Sequence, residues 1–140
     1  MKKSLSVISA ISIFTLSACI SQEQADAKMA KGCESAVSAM ITPQTIKEVK
    51  GFKADYEGML GIKYRRLDVT YVENDDFAAA EKTGTCLFSE EWTAMKGSHL
   101  ALLEQVTVNG KLVGKRNGVI QGSVDDFVKL TEGADTAMGQ

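Results

Sequence analysis

Side chains that could support catalysis are scarce in this chain, which has one histidine, His99. A serine or cysteine nucleophile needs a general base within hydrogen-bond reach, so any Ser/His/Asp or Cys/His/Asp triad would have to use His99. The adjacent Ser98 does not supply the nucleophile, because neighbouring residues of a strand point to opposite faces. We therefore assign no catalytic residue and predict that His99 is an exposed residue at the start of a strand. The alternative is a small envelope hydrolase that uses His99.

Acidic side chains are densest at Glu73, Asp75 and Asp76, with a second pair at Glu90 and Glu91. The first group lacks the twelve-residue loop, central glycine and closing glutamate of a common calcium site. A zinc site would need several histidine or cysteine ligands, which this chain cannot supply. Carboxylate pairs for glycoside hydrolysis could be chosen here, but any acidic protein offers them. We predict no metal site and no cofactor.

Two basic segments are candidates for binding. The segment Gly110–Arg116 superficially resembles a phosphate loop. It has three residues between its glycines where that motif needs four, and Arg116 replaces the serine or threonine that would hold magnesium. Two hairpin turns explain it better. Lys63, Arg65 and Arg66 form a candidate partner-binding cluster for an acidic protein; alternatively they are solvated residues of an edge strand, where charge discourages aggregation.

The chain begins with Lys2 and Lys3, followed by an apolar run from Leu5 to Ala18. This run has about 14 residues, whereas a helix that crosses the hydrocarbon core needs roughly 20. A basic start, a short apolar run and a small residue at its end are typical of a cleaved signal peptide.

The apolar run closes with Leu16-Ser17-Ala18-Cys19, which resembles the lipobox of bacterial lipoprotein precursors. The resemblance implies a lipoprotein signal peptide over residues 1–18, lipidation of Cys19 and attachment to a membrane. An ordinary secretory signal peptide is the alternative. In enteric-type lipoproteins, aspartate after the lipidated cysteine favours the inner membrane, so Ile20 implies the outer membrane, facing the periplasm. Three acyl chains would hold the protein far more firmly than one.

With Cys19 assigned to lipid, the two remaining cysteines are Cys33 and Cys86. Two cysteines in an exported domain predict a disulfide, which could contribute about 4 kcal/mol by restricting the unfolded chain. A redox-active pair is the alternative, but the close Cys-x-x-Cys spacing that tunes such thiols is missing.

Composition predicts one acidic domain. Removing residues 1–18 from the 140-residue chain leaves 122 residues, enough for a single core. The leader contains two lysines and no acid, so 14 basic residues remain against 18 acidic ones, a net charge of −4. Nucleic-acid binding requires clustered Lys and Arg, and this balance argues against it.

The apolar spacing predicts an α+β domain over residues 29–133, after a lipidated tether at 19–28. An N-terminal amphipathic helix from about Ala27 to Met40 packs on an antiparallel meander of about four strands, followed by a short C-terminal helix from Ser123 to Gly133 and a flexible tail at 134–140. Gln44–Lys50 could be a helical turn or a strand. The predicted strands are Ile62–Glu73, Thr83–Ser89, Ser98–Val108 and Lys111–Lys115, with the turns Asn109-Gly110 and Asn117-Gly118.

Two further resemblances were found inside the domain. Gly61-Ile62-Lys63-Tyr64, together with Trp92 and the following Lys96-Gly97, is similar to segments of lysozyme-inhibitor lipoproteins, although Leu60 stands where their serine would be. The stretch from Cys33 to Phe88 resembles small exported bacterial proteins of uncharacterised function, which implies no activity. We therefore expect a non-enzymatic binding or accessory module of the cell envelope with a protein partner; the alternatives are a lysozyme inhibitor and the His99 hydrolase.

Overall fold

The computed structural model describes residues 19–74 and 80–140. The predicted signal peptide, including the first three lipobox residues, and the acidic residues Asp75 and Asp76 lie outside the described residues. Within the described ranges the chain forms two α-helices and six strands. These elements are α1 (Gln22–Met40), β1 (Ile46–Met59), β2 (Ile62–Glu73), β3 (Glu81–Trp92), β4 (His99–Val108), β5 (Lys111–Arg116), β6 (Val119–Gln121) and α2 (Val124–Met138).

The six strands form one antiparallel sheet in the order β1-β2-β3-β4-β5-β6, so each strand pairs with its neighbours in sequence. The α+β class is confirmed, but the predicted number of about four strands is wrong. One missing strand is β1, which begins at Ile46 and thereby resolves the open stretch Gln44–Lys50. Most of its residues are solvent-exposed because it forms a sheet edge, so it lacks a strong apolar signal.

The core lies between the sheet and α1, which crosses β2, β3 and β4. The predicted disulfide is confirmed: Cys33 of α1 is bonded to Cys86 of β3, with their Cα atoms 5.7 Å apart and both residues fully buried. The helix approaches the sheet closely at Gly84, where an added Cβ would lie 2.3 Å from a Val37 methyl group. A glycine at this position therefore allows the contact.

Both helices are longer than predicted. Residues 22–28, which we predicted as part of a tether, form the first turns of α1, because Ser21 and Gln24 make a reciprocal capping box there. The second helix continues through Gly133 to Met138, and Ala134 and Met138 are buried, so the predicted flexible tail is wrong. Packing against α1 stabilises this last part of α2 more than the glycine weakens it.

Candidate functional site

Cys19 lies at one end of the sheet, which we call the Cys19 end. It is exposed and its thiol is free, and α1 starts three residues later. The backbone N–H of Ile20 donates a hydrogen bond to the carbonyl oxygen of Lys96 at 3.0 Å. Cys19 is therefore held beside the connection between β3 and β4, with almost no free chain between it and the folded domain.

The turn between β1 and β2 lies at the same end. In the antiparallel register Arg65 is opposite Phe88, so the start of β2 is next to the end of β3. The β1–β2 turn consists of Leu60 and Gly61, both with positive φ. The β3–β4 connection contains a short 3-10 turn, Ala94–Lys96.

The Cys19 end presents several large apolar side chains to solvent. Leu60 is 77% exposed, Ile62 55% and Met95 90%. The sequence analysis named Leu60 and Ile62 only in the resemblance to lysozyme inhibitors and did not predict this exposed apolar group, although apolar residues in short turns indicate one. No helix within the described residues has the length and apolar character needed to cross a membrane.

His99 is buried, so the predicted exposed position is wrong. Its side chain is 0% exposed, and its ring lies 4.4 Å from that of Trp92, centroid to centroid. The two residues face each other because Trp92 and His99 are partners in the β3–β4 ladder. The His99 Nε2 atom is 2.9 Å from a carboxylate oxygen of Glu90, while Nδ1 has no hydrogen-bond partner within the described part of the chain.

The adjacent hydroxyl, that of Ser98, is not directed at His99. The hydroxyl and backbone N–H of the adjacent Ser98 both bond to the Thr93 hydroxyl oxygen, at 3.1 and 2.8 Å, in the exposed β3–β4 connection. Glu91, the other member of the acidic pair, lies on the opposite face of β3 from Glu90, since successive strand residues alternate. His99 and Glu90 thus form a buried pair against Trp92.

A second buried pair links α1 to the sheet. Arg65 donates two hydrogen bonds to Asp26, from Nε to Oδ1 at 2.8 Å and from Nη2 to Oδ2 at 2.6 Å. Burial raises the pKa of Asp26, but the hydrogen bonds from Arg65 and Gln22 and the charge of Arg65 outweigh it, so this pKa is lowered. The ionised form is therefore favoured in the folded protein.

Gln22 joins the two buried pairs. Its side-chain N–H groups donate to Asp26 at 3.0 Å and to Glu90 at 3.2 Å, and its amide oxygen accepts from the Tyr56 hydroxyl at 3.3 Å. Burial, followed by the charge of Glu90, raises the pKa of Tyr56, so its phenol remains protonated. The network connects α1 with β1, β2, β3 and β4. Sequence reasoning missed it because its members are far apart in the chain.

The predicted basic cluster is divided between the two faces of β2. Lys63 and Arg65 face the helices, where the Lys63 ammonium lies 3.9 Å from the centre of the Tyr56 ring. Arg66 faces the other side and pairs with Asp68 and Glu57. The strand itself is internal, between β1 and β3, so its placement at a sheet edge is wrong.

The remaining candidate segments take part in structural contacts. Glu73 is buried and receives a hydrogen bond from Lys82 at 2.8 Å. Within the described ranges, no three acidic, histidine or cysteine side chains converge into a group that could hold a metal ion. The segment Gly110–Arg116 forms one turn residue and strand β5, as expected for a hairpin. In the segment that resembles lysozyme inhibitors, Lys63 lies in strand β2, directly after the Leu60-Gly61 turn.

Comparison with known proteins gives no relative from which a function could be transferred. No family model matches the chain, and no curated protein and no solved structure shows a significant match.

Proposed function

We propose that this protein is a lipid-anchored, non-enzymatic binding or accessory module of the cell envelope, attached to the outer membrane through Cys19 and facing the periplasm. The observation that carries the proposal is the position of Cys19. It ends a lipobox-like tetrapeptide, it is exposed, and the folded domain begins immediately after it. A signal peptidase and an acyltransferase could act there without disturbing the core.

The surroundings of His99 support the non-enzymatic part of the proposal. A general base must reach the proton that it abstracts. His99 is enclosed by Trp92 and Glu90, and the hydroxyl of Ser98 is engaged with Thr93. We expect the domain to act through its surface on an envelope protein.

Fractionation of cells that express single-residue variants tests the anchor. The wild-type protein should be recovered with the outer membrane. Cys19→Ala removes the acyl-bearing sulfur, and we expect that variant to leave the outer-membrane fraction. Ile20→Asp is the matched control: it should keep the lipid but move to the inner membrane. Unchanged outer-membrane recovery of Cys19→Ala would exclude the anchor.

A further inference from the structure

Three two-residue hairpin turns have nearly the same backbone but different sequences. Asn109-Gly110 joins β4 to β5 with φ values of 51° and 77°, and Asn117-Gly118 joins β5 to β6 with 52° and 77°. The β1–β2 turn has φ values of 51° and 79°, yet its first residue is Leu60. Asparagine is favoured in this left-handed conformation, whereas leucine is uncommon there. The turn at the Cys19 end thus departs from the sequence used at the other two.

Met95, in the neighbouring β3–β4 connection, shows the same combination. It has a φ of 62° and is 90% exposed, compared with 51° and 77% for Leu60. These are the two most exposed of the large apolar side chains in the described part of the protein. Folding stability explains neither, because each places an apolar side chain in water and in an unfavourable backbone conformation.

Their position relative to Cys19 indicates what covers them. The backbone hydrogen bond from Ile20 to Lys96 holds Cys19 close to Met95, because Cys19 directly precedes Ile20 and Met95 directly precedes Lys96. Leu60 lies at the same end of the sheet. Asn109-Gly110, the comparison turn, lies at the opposite end, because β4 runs from His99 at the Cys19 end to Val108. The other asparagine turn, Asn117-Gly118, follows β5, which runs back towards the Cys19 end but pairs only with the Gln105–Val108 part of β4 and so stops short of it. The exposed apolar turn residues are therefore the ones beside the anchoring cysteine.

We propose that Leu60 and Met95 insert into the boundary between headgroups and acyl chains of the membrane that holds Cys19, with Ile62 beside them. This inference rests on the proposed lipid anchor and adds an orientation, with the strands rising from the membrane. Lys96, next to Met95, can extend its ammonium group to lipid phosphates while its stem stays in apolar surroundings. The opposite end of the sheet then faces the periplasm, where a partner can reach it.

The fluorescence of Trp92 can report contact with the membrane, because Trp92 is the only tryptophan of the chain and is the last residue of β3, at the Cys19 end. The lipidated protein is reconstituted into vesicles of phosphatidylethanolamine and phosphatidylglycerol that contain brominated acyl chains, which quench tryptophan only nearby. We expect strong quenching of Trp92 in the wild-type protein. The double variant Leu60→Asn/Met95→Gln should lose most of it, and Asn109→Leu should quench like wild type. Absent wild-type quenching, or equal quenching in the double variant, would overturn the proposal.

A second arm separates this inference from the anchor itself. The Cys19→Ser chain, expressed without residues 1–18, is titrated with the same vesicles at millimolar lipid. Burial of two apolar side chains predicts that the double variant binds about tenfold more weakly than its parent. Equal binding would overturn the inference even if Cys19 proves to be lipidated. If Cys19 carries no lipid, the anchor fails, and this arm still decides whether the turns bind membranes.

Misfolding would not explain a loss of binding. Asparagine suits the backbone of residue 60 better than leucine, so Leu60→Asn should keep or raise the midpoint temperature of unfolding. If the Leu60→Asn/Met95→Gln variant is at least as stable as wild type but no longer binds vesicles, direct lipid contact is supported. If this double variant is equally stable and still binds vesicles, direct lipid contact is contradicted.

Discussion

The guanidinium of Arg65 holds the carboxylate of Asp26 through two parallel hydrogen bonds, and both side chains are almost completely buried. Asp26 belongs to the first turns of α1 and Arg65 to an internal strand, so the pair fixes the start of the helix on the sheet. Because α1 begins three residues after Cys19, the same pair fixes the domain relative to the anchor.

Loss of one partner should be costly. Asp26→Ala leaves the Arg65 charge buried without its partner, and we expect the free energy of unfolding to fall by about 3–5 kcal/mol. The double variant Asp26→Leu/Arg65→Met should recover most of that loss. Glu48→Ala, which breaks an exposed ion pair with Lys50, should change little. Urea denaturation measures all three, and equal effects of Asp26→Ala and Glu48→Ala would contradict the buried pair.

The stabilising effect of Asp26 should depend on pH. Its pKa is lowered in the folded protein, so between the folded and unfolded pKa values the unfolded chain binds more protons. The difference in unfolding free energy between wild type and Asp26→Asn should be complete near neutral pH and shrink below about pH 4. Denaturation at a series of pH values measures this difference. A difference that grows as the pH falls would show that the sign is wrong.

Removal of the disulfide should destabilise the domain without changing its fold. Cys33 and Cys86 are 53 residues apart. Closing a loop of that length removes conformational entropy from the unfolded chain and thereby raises the free energy of unfolding by about 4 kcal/mol. The Cys33→Ser/Cys86→Ser variant should lose stability of that order, and reduction of the wild-type protein should have the same effect. Unchanged urea midpoints in both cases would indicate that the bond contributes nothing in solution.

The close approach of α1 to β3 gives a compensation test. Gly84→Ala places a methyl group against Val37 and should reduce the unfolding free energy by about 1–3 kcal/mol. Adding Val37→Ala removes the obstructing methyl groups, so the double variant should be less destabilised than the sum of the two single variants. Strict additivity would mean that the two residues are not in contact.

Local signals in the sequence predicted much of the sheet. Asn109-Gly110 and Asn117-Gly118 mark turns through their own backbone preferences, and the structure has both. The alternation of Leu67, Val69 and Tyr71 predicted β2 with its observed bounds. The edge strand β1 was missed because its glycines and charges hide a weaker alternation of Phe52, Ala54 and Tyr56.

The buried network could not be predicted because it depends on contacts between distant elements. Asp26 and Arg65 are 39 residues apart, and His99 is buried by Trp92, which reaches it only through the β3–β4 pairing. A charged residue carries no local sign of a buried partner. The unusual turn residue Leu60 could have been noticed, but only after the turn itself was located.

The attachment of this protein to a membrane depends most directly on the chemical state of Cys19. Mass spectrometry of the N-terminal peptide of the protein, isolated from outer membranes, tests it. We predict a peptide that begins at Cys19, with a diacylglyceryl group on the sulfur and a third acyl chain on the amine. A peptide that continues through Ala18, or one that contains Cys19 as an unmodified thiol, would contradict the account.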